Sequence, residues 1–175
     1  EASPTLQARV LYREGLLAQE LGDKAGAVLS WEKARELTPD DLEITAALRV
    51  CFEEDEKWSE VESLRLQELS AAPNLEVQYD HLKALADIYQ NKLNSPSKGI
   101  EMLEQAVSCR LDDVESLKIL VKHYDSHARW VKFLGRFDEL ARHITTEEPS
   151  PDTVETLARS YDTVARHPDK AKQYY

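Results

Sequence analysis

The stretch LYREGLLAQELGDKAGAVLSWEKARELTP, residues 11–39, decides the fold. It contains two helical patterns of apolar residues, which are separated by a turn at Gly22-Asp23 and closed by Pro39. Because so short a turn brings the second helix back along the first, the stretch predicts an antiparallel helical hairpin. Pro73 follows Pro39 after 34 residues, and a period of that length is typical of stacked helical hairpins.

Small and large side chains are expected to interlock within this hairpin. Gly15, Ala27 and Ala34 are small, and Trp31 supplies the bulky side chain that fills the space between two closely packed helices. At these positions, and at Pro39, the sequence resembles the tetratricopeptide repeat. The resemblance implies an all-α fold, in which antiparallel hairpins stack into a right-handed α-α superhelix (solenoid).

The same resemblance divides residues 1–175 into repeats of one solenoid domain, about four and a half units in all. The predicted units cover residues 8–41, 42–75, 79–113, 114–147 and 151–175, of which the last is incomplete. A pattern of large apolar residues in the second unit repeats 72 residues later in the fourth, which supports this division. The pattern consists of Leu48, Phe52, Trp58 and Val61, matched by Leu120, Tyr124, Trp130 and Phe133. Since residue 175 falls inside a hairpin, we expect a fragment of a longer protein, or an end that docks on another copy.

Two departures from the repeat are visible in the sequence. In the second unit, Arg65 and Glu68 stand where the family has an aromatic residue and an alanine, so this hairpin is expected to be tilted or irregular. Its packing would depend on the remaining apolar residues, Trp58, Val61, Leu64 and Leu69. In the third unit, Ser95-Pro96 predicts a capped helix start after a turn that is one residue longer than the others.

The composition excludes several classes of partner. The chain carries 33 acidic and 22 basic residues, for a net charge of −11, so nucleic acid and anionic membranes are expected to be repelled. An RNA-processing scaffold of the half-a-TPR type is disfavoured for the same reason. Cys51 and Cys109 lack metal-binding spacing and are expected to be small buried thiols. They favour a cytoplasmic location, which leaves open an N-terminal signal or anchor outside this chain.

Catalytic motifs are not found in the sequence. There is no nucleotide-binding loop, nucleophile elbow or paired-carboxylate signature, so we predict a non-catalytic protein without cofactor or metal. His123 and His127 have the spacing of a two-histidine metal face, but they lack a third ligand in register. The acidic run at residues 53–56 predicts a solvated turn, with a docking site for a basic partner as the alternative.

The resemblance also implies a concave groove that is lined by the first helix of each unit and binds a peptide. The matching residues are Tyr12, Leu16, Ala46, Val50, Lys83, Asp87, Lys118, Lys122 and Arg159. The first four form an apolar half, whereas the three lysines and the arginine predict a cationic half for an acidic side chain or terminal carboxylate. Alternatively, the lysines pair with nearby carboxylates and only keep the surface soluble.

The chaperone-tail clamp of some family members is absent, because Tyr12 and Leu16 occupy its lysine and asparagine places. The sequence therefore predicts a protein–protein interaction scaffold whose groove binds a peptide segment of a partner. Two alternatives remain open: a self-association or spacer module that uses the unit at residues 152–175, and the recruiting arm of a larger enzyme.

Overall fold

The structure, a computed structural model, describes residues 3–110 and 113–126. These residues form seven helices and no strand, so the predicted all-α solenoid is confirmed. The helices are α1 (Pro4–Glu20), α2 (Lys24–Leu37), α3 (Leu42–Glu54), α4 (Trp58–Ser70), α5 (Leu75–Asn91), α6 (Pro96–Cys109) and α7 (Val114–Ser126). The fifth predicted unit, most of the fourth, and Arg159 lie outside the described residues.

Consecutive helices pack on each other, as expected for stacked hairpins. The pairs α1–α2, α3–α4 and α5–α6 form the three hairpins, and α2–α3, α4–α5 and α6–α7 join each hairpin to the next. In the part of the chain with defined placement, no helix is both long and apolar enough to cross a membrane. The same residues contain no cluster of side chains suited to a metal ion.

Local capping residues set the helix starts. The Ser3 hydroxyl accepts a hydrogen bond from the Leu6 N–H at 3.3 Å, and Pro4 takes the first helical position, where its missing N–H costs nothing. Ser95 occupies the predicted cap position before Pro96, but its side chain accepts no capping hydrogen bond from α6. The Ser95 hydroxyl instead donates to the Leu93 carbonyl at 3.1 Å, a local bond that competes with capping.

Each turn inside a hairpin contains one residue in the left-handed region. The turns are residues 21–23, 55–57 and 92–95, and the last is one residue longer, as predicted. The left-handed residues are Gly22 at φ 79°, Glu56 at φ 55° and Asn94 at φ 47°. A non-glycine residue costs about 1–2 kcal/mol in this conformation, so the packing of α3 on α4 has to hold Glu56 in place.

The first hairpin is held together by Trp31. Its side chain is completely buried together with Ala27 and Ala34, and a Cβ atom on Gly15 would overlap the indole ring. The indole Nε1–H also donates to the backbone carbonyl of Tyr12 at 3.0 Å. The predicted interlocking of small and large residues is therefore confirmed, with Gly15 required for the close approach of the ring.

In the second hairpin, charged residues occupy the corresponding positions. Arg49 replaces the glycine of the first hairpin, Arg65 replaces the tryptophan, and Glu68 replaces the second alanine. Arg49 and Arg65 are half-buried, and Glu68 is buried. Helices α3 and α4 also pack less extensively than α1 and α2, which agrees with the irregularity expected from the sequence.

These residues form the unit-two charge network, defined as Arg49, Glu53, Arg65, Glu68 and His81. Arg49 Nε lies 2.9 Å from Glu68 Oε2 and Arg49 Nη1 lies 3.0 Å from Glu53 Oε1, while Arg65 Nη2 donates to Glu53 Oε1 at 2.8 Å. From α5, His81 Nδ1 approaches Glu68 Oε2 to 3.6 Å. Burial lowers the pKa of His81, so the imidazole is neutral near pH 7.

The acidic run at residues 53–56 is only partly a solvated turn. Glu53 belongs to the unit-two charge network, where it pairs with Arg49 and Arg65. The carboxylates of Glu54 and Asp55 lie 2.5 and 3.7 Å from the ammonium of Lys24 on the neighbouring hairpin. The run therefore contributes to the packing of the first two hairpins, which the sequence reading did not anticipate.

Candidate functional site

The first half of the predicted groove contains an open pocket of about 710 Å³ between α1 and the start of α3. Its lining residues are Thr5, Arg9, Tyr12, Arg13, Leu16, Asp41, Leu42 and Glu43. The structure thus brings the predicted residues Tyr12 and Leu16 together. Ala46 and Val50 lie farther along α3 and do not line this pocket, although Val50 is exposed.

Tyr12 connects the pocket to the core of the first hairpin. Its carbonyl accepts the hydrogen bond from Trp31, and its ring centroid lies 6.5 Å from that of the indole at an interplanar angle of 37°. Burial raises the pKa of the Tyr12 hydroxyl, and the carboxylates of Glu43 and Asp41 raise it further. At neutral pH this group is therefore a protonated phenol, which can donate or accept one hydrogen bond.

The pocket combines apolar surface with charges of both signs. Arg9 and Arg13 lie one turn apart on α1, both are exposed, and neither forms an ion pair within the part of the chain that the structure describes. On the α3 side, the Asp41 carboxylate accepts the N–H groups of Glu43 at 3.0 Å and Ile44 at 3.4 Å. The Asp41 carboxylate therefore serves as the cap of α3. On the α1 wall, the charges available to a ligand are those of Arg9 and Arg13.

In the second half of the groove, Lys83 has a structural partner. Its ammonium lies 3.1 Å from Asp113 Oδ2 and donates to the Ser116 hydroxyl at 2.6 Å. Asp113 Oδ1 accepts the Ser116 N–H at 3.1 Å at the start of α7, and Oδ2 also accepts the Tyr79 hydroxyl at 2.9 Å. Lys83 therefore joins α5 to the first turn of α7 and is not a free cation.

The other predicted residues of this half divide between paired and exposed. Lys118 lies 3.1 Å from Glu115, so the alternative of local pairing describes this lysine as well as Lys83. Asp87 accepts a hydrogen bond from Asn91 at 2.7 Å, and Lys122 is exposed. The structure does not gather these lysines into a free cationic cluster, and their role in binding stays a prediction.

Replacing Asp113 by asparagine is expected to lower the free energy of unfolding at pH 7 by about 1–3 kcal/mol, the usual range for hydrogen bonds to a charged group. Burial alone would raise the pKa of Asp113, but the hydrogen bonds from Ser116, Lys83 and Tyr79 outweigh it and lower the pKa. A depressed carboxyl pKa stabilises the fold above the ordinary carboxyl value and ceases to do so as the pH falls through the folded value.

Urea unfolding monitored by circular dichroism, at pH 7 and at steps below about pH 5, measures both the loss of stability and its dependence on pH. The difference between wild type and Asp113→Asn should shrink as the pH falls. Asp87→Asn is the matched control, because among the described residues this exposed carboxylate bonds to Asn91 of its own helix and to no other element. An equal loss in the control, or a difference that does not change with pH, would contradict the assignment.

No protein-family model and no curated protein matches the sequence. The fold is similar to that of YrrB, described as a TPR protein with an unusual peptide-binding site, with a TM-score of 0.52, 16% identity, and coverage of 94% of this chain and 80% of that chain. The chain has the tetratricopeptide-repeat fold. The N-terminal domain of stress-induced protein-1 (STI-1) from C. elegans is also similar, with a TM-score of 0.52, 18% identity, and coverage of 69% of this chain and 96% of that chain.

The fold of this chain is also similar to part of a longer chain in a larger assembly. The structure of Naa15/Naa10 bound to HypK-THB matches with a TM-score of 0.60 and 18% identity. That match covers 97% of this chain but 25% of the other chain. At such identities the similarity shows the fold alone, and it does not identify the binding residues of this protein.

Sequence reasoning missed part of the pocket and two members of the unit-two charge network, Arg49 and His81. Arg9 and Glu43 match groove-facing places of the repeat. Four further residues line the pocket but were not assigned to the groove: Thr5, Arg13, Asp41 and Leu42. Arg49 could have been found, because it follows Gly15 by 34 residues and so occupies a place that the repeat reserves for a small side chain. The pocket residues had no such signal, since their contact depends on how α1 and α3 are placed.

Proposed function

We propose that this protein is a non-catalytic scaffold that holds a peptide segment of a partner protein, with the pocket between α1 and α3 as the main anchoring point. The observation that carries the proposal is the open pocket in which Tyr12 and Leu16 lie between helices fixed by the core. The pocket offers an apolar contact area, at Tyr12, Leu16 and Leu42, beside polar groups that can fix the orientation of a ligand. YrrB, which shares the fold, is described as having an unusual peptide-binding site.

The mechanism is preorganisation. Because Trp31 anchors the backbone of Tyr12, the pocket is formed before the peptide arrives, and little conformational entropy is lost from the scaffold. An apolar side chain of the peptide would pack on Tyr12 and Leu16. The remainder of the segment would extend along the proposed groove past Ala46 and Val50, toward Asp87, Lys118, Lys122 and Arg159.

The positive charge for an acidic partner would come mainly from Arg9 and Arg13. Both are exposed on the α1 wall of the pocket, whereas the predicted lysines Lys83 and Lys118 are already paired. Guanidinium groups bind carboxylates in a bidentate manner, so an acidic residue next to the apolar anchor is the feature we propose for the bound segment.

Selection of displayed peptides against the full chain, followed by fluorescence anisotropy with the enriched sequences, tests the proposal. We expect Leu16→Glu to weaken binding about tenfold or more, because it puts a carboxylate into the apolar part of the pocket. Leu66→Glu is the matched control, since Leu16 and Leu66 are exposed to a similar extent, 37% and 41%, and Leu66 lies on α4. An equal loss of affinity in both variants would refute the groove as the peptide-binding site. Failure to enrich any peptide whose binding depends on Leu16 would refute it as well.

A further inference from the structure

Helix α1 exposes a second apolar surface that does not belong to the pocket. Leu6, Val10, Leu17 and Leu21 are 55%, 51%, 57% and 77% exposed, and none of them lines the pocket. Their spacing of 4, 7 and 4 residues places them in one stripe along the helix. Ala8 and Gly15 are buried on the other side of α1, which packs on α2. A helix that is apolar on two sides is typical of one with neighbours on both sides.

The repeat register shows what this stripe corresponds to elsewhere in the chain. Residues 34 positions after Val10 and Leu17 are Ile44 and Cys51 of α3, and both are buried at 1% exposure. In α5, Ile88 matches Leu17 and is also buried, and His81 matches Val10 and lies 3.6 Å from Glu68 of α4. Since α3 packs on α2 and α5 packs on α4, this side of the first helix is the side that receives a preceding helix in the stack.

Glu14 distinguishes the stripe of α1 from those of the other first helices. At the matching position α3, α5 and α7 have Leu48, Leu85 and Leu120, all with 0% exposure. Glu14 is exposed and lies beside the stripe at its midpoint. A purely apolar occupant would desolvate this carboxylate without a partner, which is unfavourable. A fitting occupant therefore carries a positive charge at this point.

We propose that Leu6, Val10, Glu14, Leu17 and Leu21, the outer α1 face, form a docking surface for an amphipathic helix of a partner protein. The apolar side of that helix would carry one lysine or arginine placed to meet Glu14. Charge argues for such a partner and against a second copy of this chain. The stripe would match itself in an antiparallel pair, but a two-fold axis would bring the two Glu14 carboxylates together, and like charges repel.

The test uses two stapled helical peptides of about 18 residues that share a leucine stripe and differ in one central residue, lysine or glutamate. Isothermal titration of the full chain should show that the lysine peptide binds at least about five times more tightly than the glutamate peptide. Glu14→Lys should reverse this preference. Val10→Ser combined with Leu17→Ser should abolish binding of both peptides while the circular dichroism melt stays unchanged, because both positions are more than half exposed.

The control variant Leu16→Glu, in the pocket, should leave binding of the lysine peptide unchanged, so that failure of the groove and failure of the outer α1 face can be told apart. Equal binding of the two peptides with no effect of Glu14→Lys would overturn the proposal. Light scattering without peptide provides a second check. A wild-type dimer that becomes monomeric in the Val10→Ser, Leu17→Ser variant would assign the face to a second copy instead, and would also overturn it.

Discussion

Replacing Trp31 by alanine is expected to lower the free energy of unfolding by about 3–5 kcal/mol, the range for truncating a large buried aromatic residue. The side chain has no exposed surface, and Gly15, which faces the indole ring on α1, has no side chain to refill the space that the ring would leave. The hydrogen bond from the indole Nε1–H to the Tyr12 carbonyl would be lost as well, which adds to the loss.

Urea unfolding monitored by circular dichroism measures this loss of stability, with Trp58→Ala as the matched control. Trp58 is only half-buried and its ring lies 4.8 Å from the Lys92 ammonium, so the control should lose about 1–2 kcal/mol. If the two variants lost the same amount, the first hairpin would not depend on the packing of Trp31 against Gly15.

Replacing Glu68 by alanine is the second large change, with an expected loss of about 3–5 kcal/mol, because removing one partner leaves a buried charge uncompensated. Arg49 lies 2.9 Å from the Glu68 carboxylate and its side chain is 16% exposed, so water can replace the lost partner only in part. Glu53, which already pairs with Arg65, would then be the carboxylate that remains paired with Arg49.

A matched rescue separates the charge effect from simple loss of packing. The third hairpin has apolar residues at the positions of Arg49, Arg65 and Glu68, namely Ala86, Leu103 and Ala106, all of which are buried. The triple variant Arg49→Ala, Arg65→Leu, Glu68→Ala should therefore recover most of the stability that Glu68→Ala loses, because apolar replacements of buried ion pairs are often neutral or stabilising. A triple variant as unstable as the single one would contradict this interpretation.

Helix positions could be predicted from the sequence because they depend on local signals. The turn at Gly22-Asp23 predicts the start of α2 at about Lys24, where it is found, since aspartate and glycine have fixed preferences at helix ends. The extra residue in the turn before Pro96 was also visible as a change in spacing. Side-chain bonds were less predictable, as Ser95 shows, because a serine hydroxyl can accept a helix N–H or donate to a nearby carbonyl, as it does to Leu93.

The candidate site could be predicted only in part, because charged side chains choose among partners that are distant in sequence. Lys83 pairs with Asp113, 30 residues away, although Asp87 is the nearer carboxylate along the helix. Tyr12 and Leu16 line one pocket, which the helical period makes predictable because they lie one turn apart on α1. Which residues of α3 face them depends on the packing of two hairpins, which no local pattern specifies.

The unit-two charge network has a consequence for how such an array can change in evolution. Glu68 of the second hairpin faces His81 of the third, whereas the first hairpin offers Ala34 at the matching position. Deleting the second hairpin would therefore place His81 opposite a side chain that cannot accept a proton or a hydrogen bond. The hairpins share one backbone fold, but the side chains between neighbouring hairpins are matched to each other. Selection therefore acts on the order of the hairpins as well as on each hairpin.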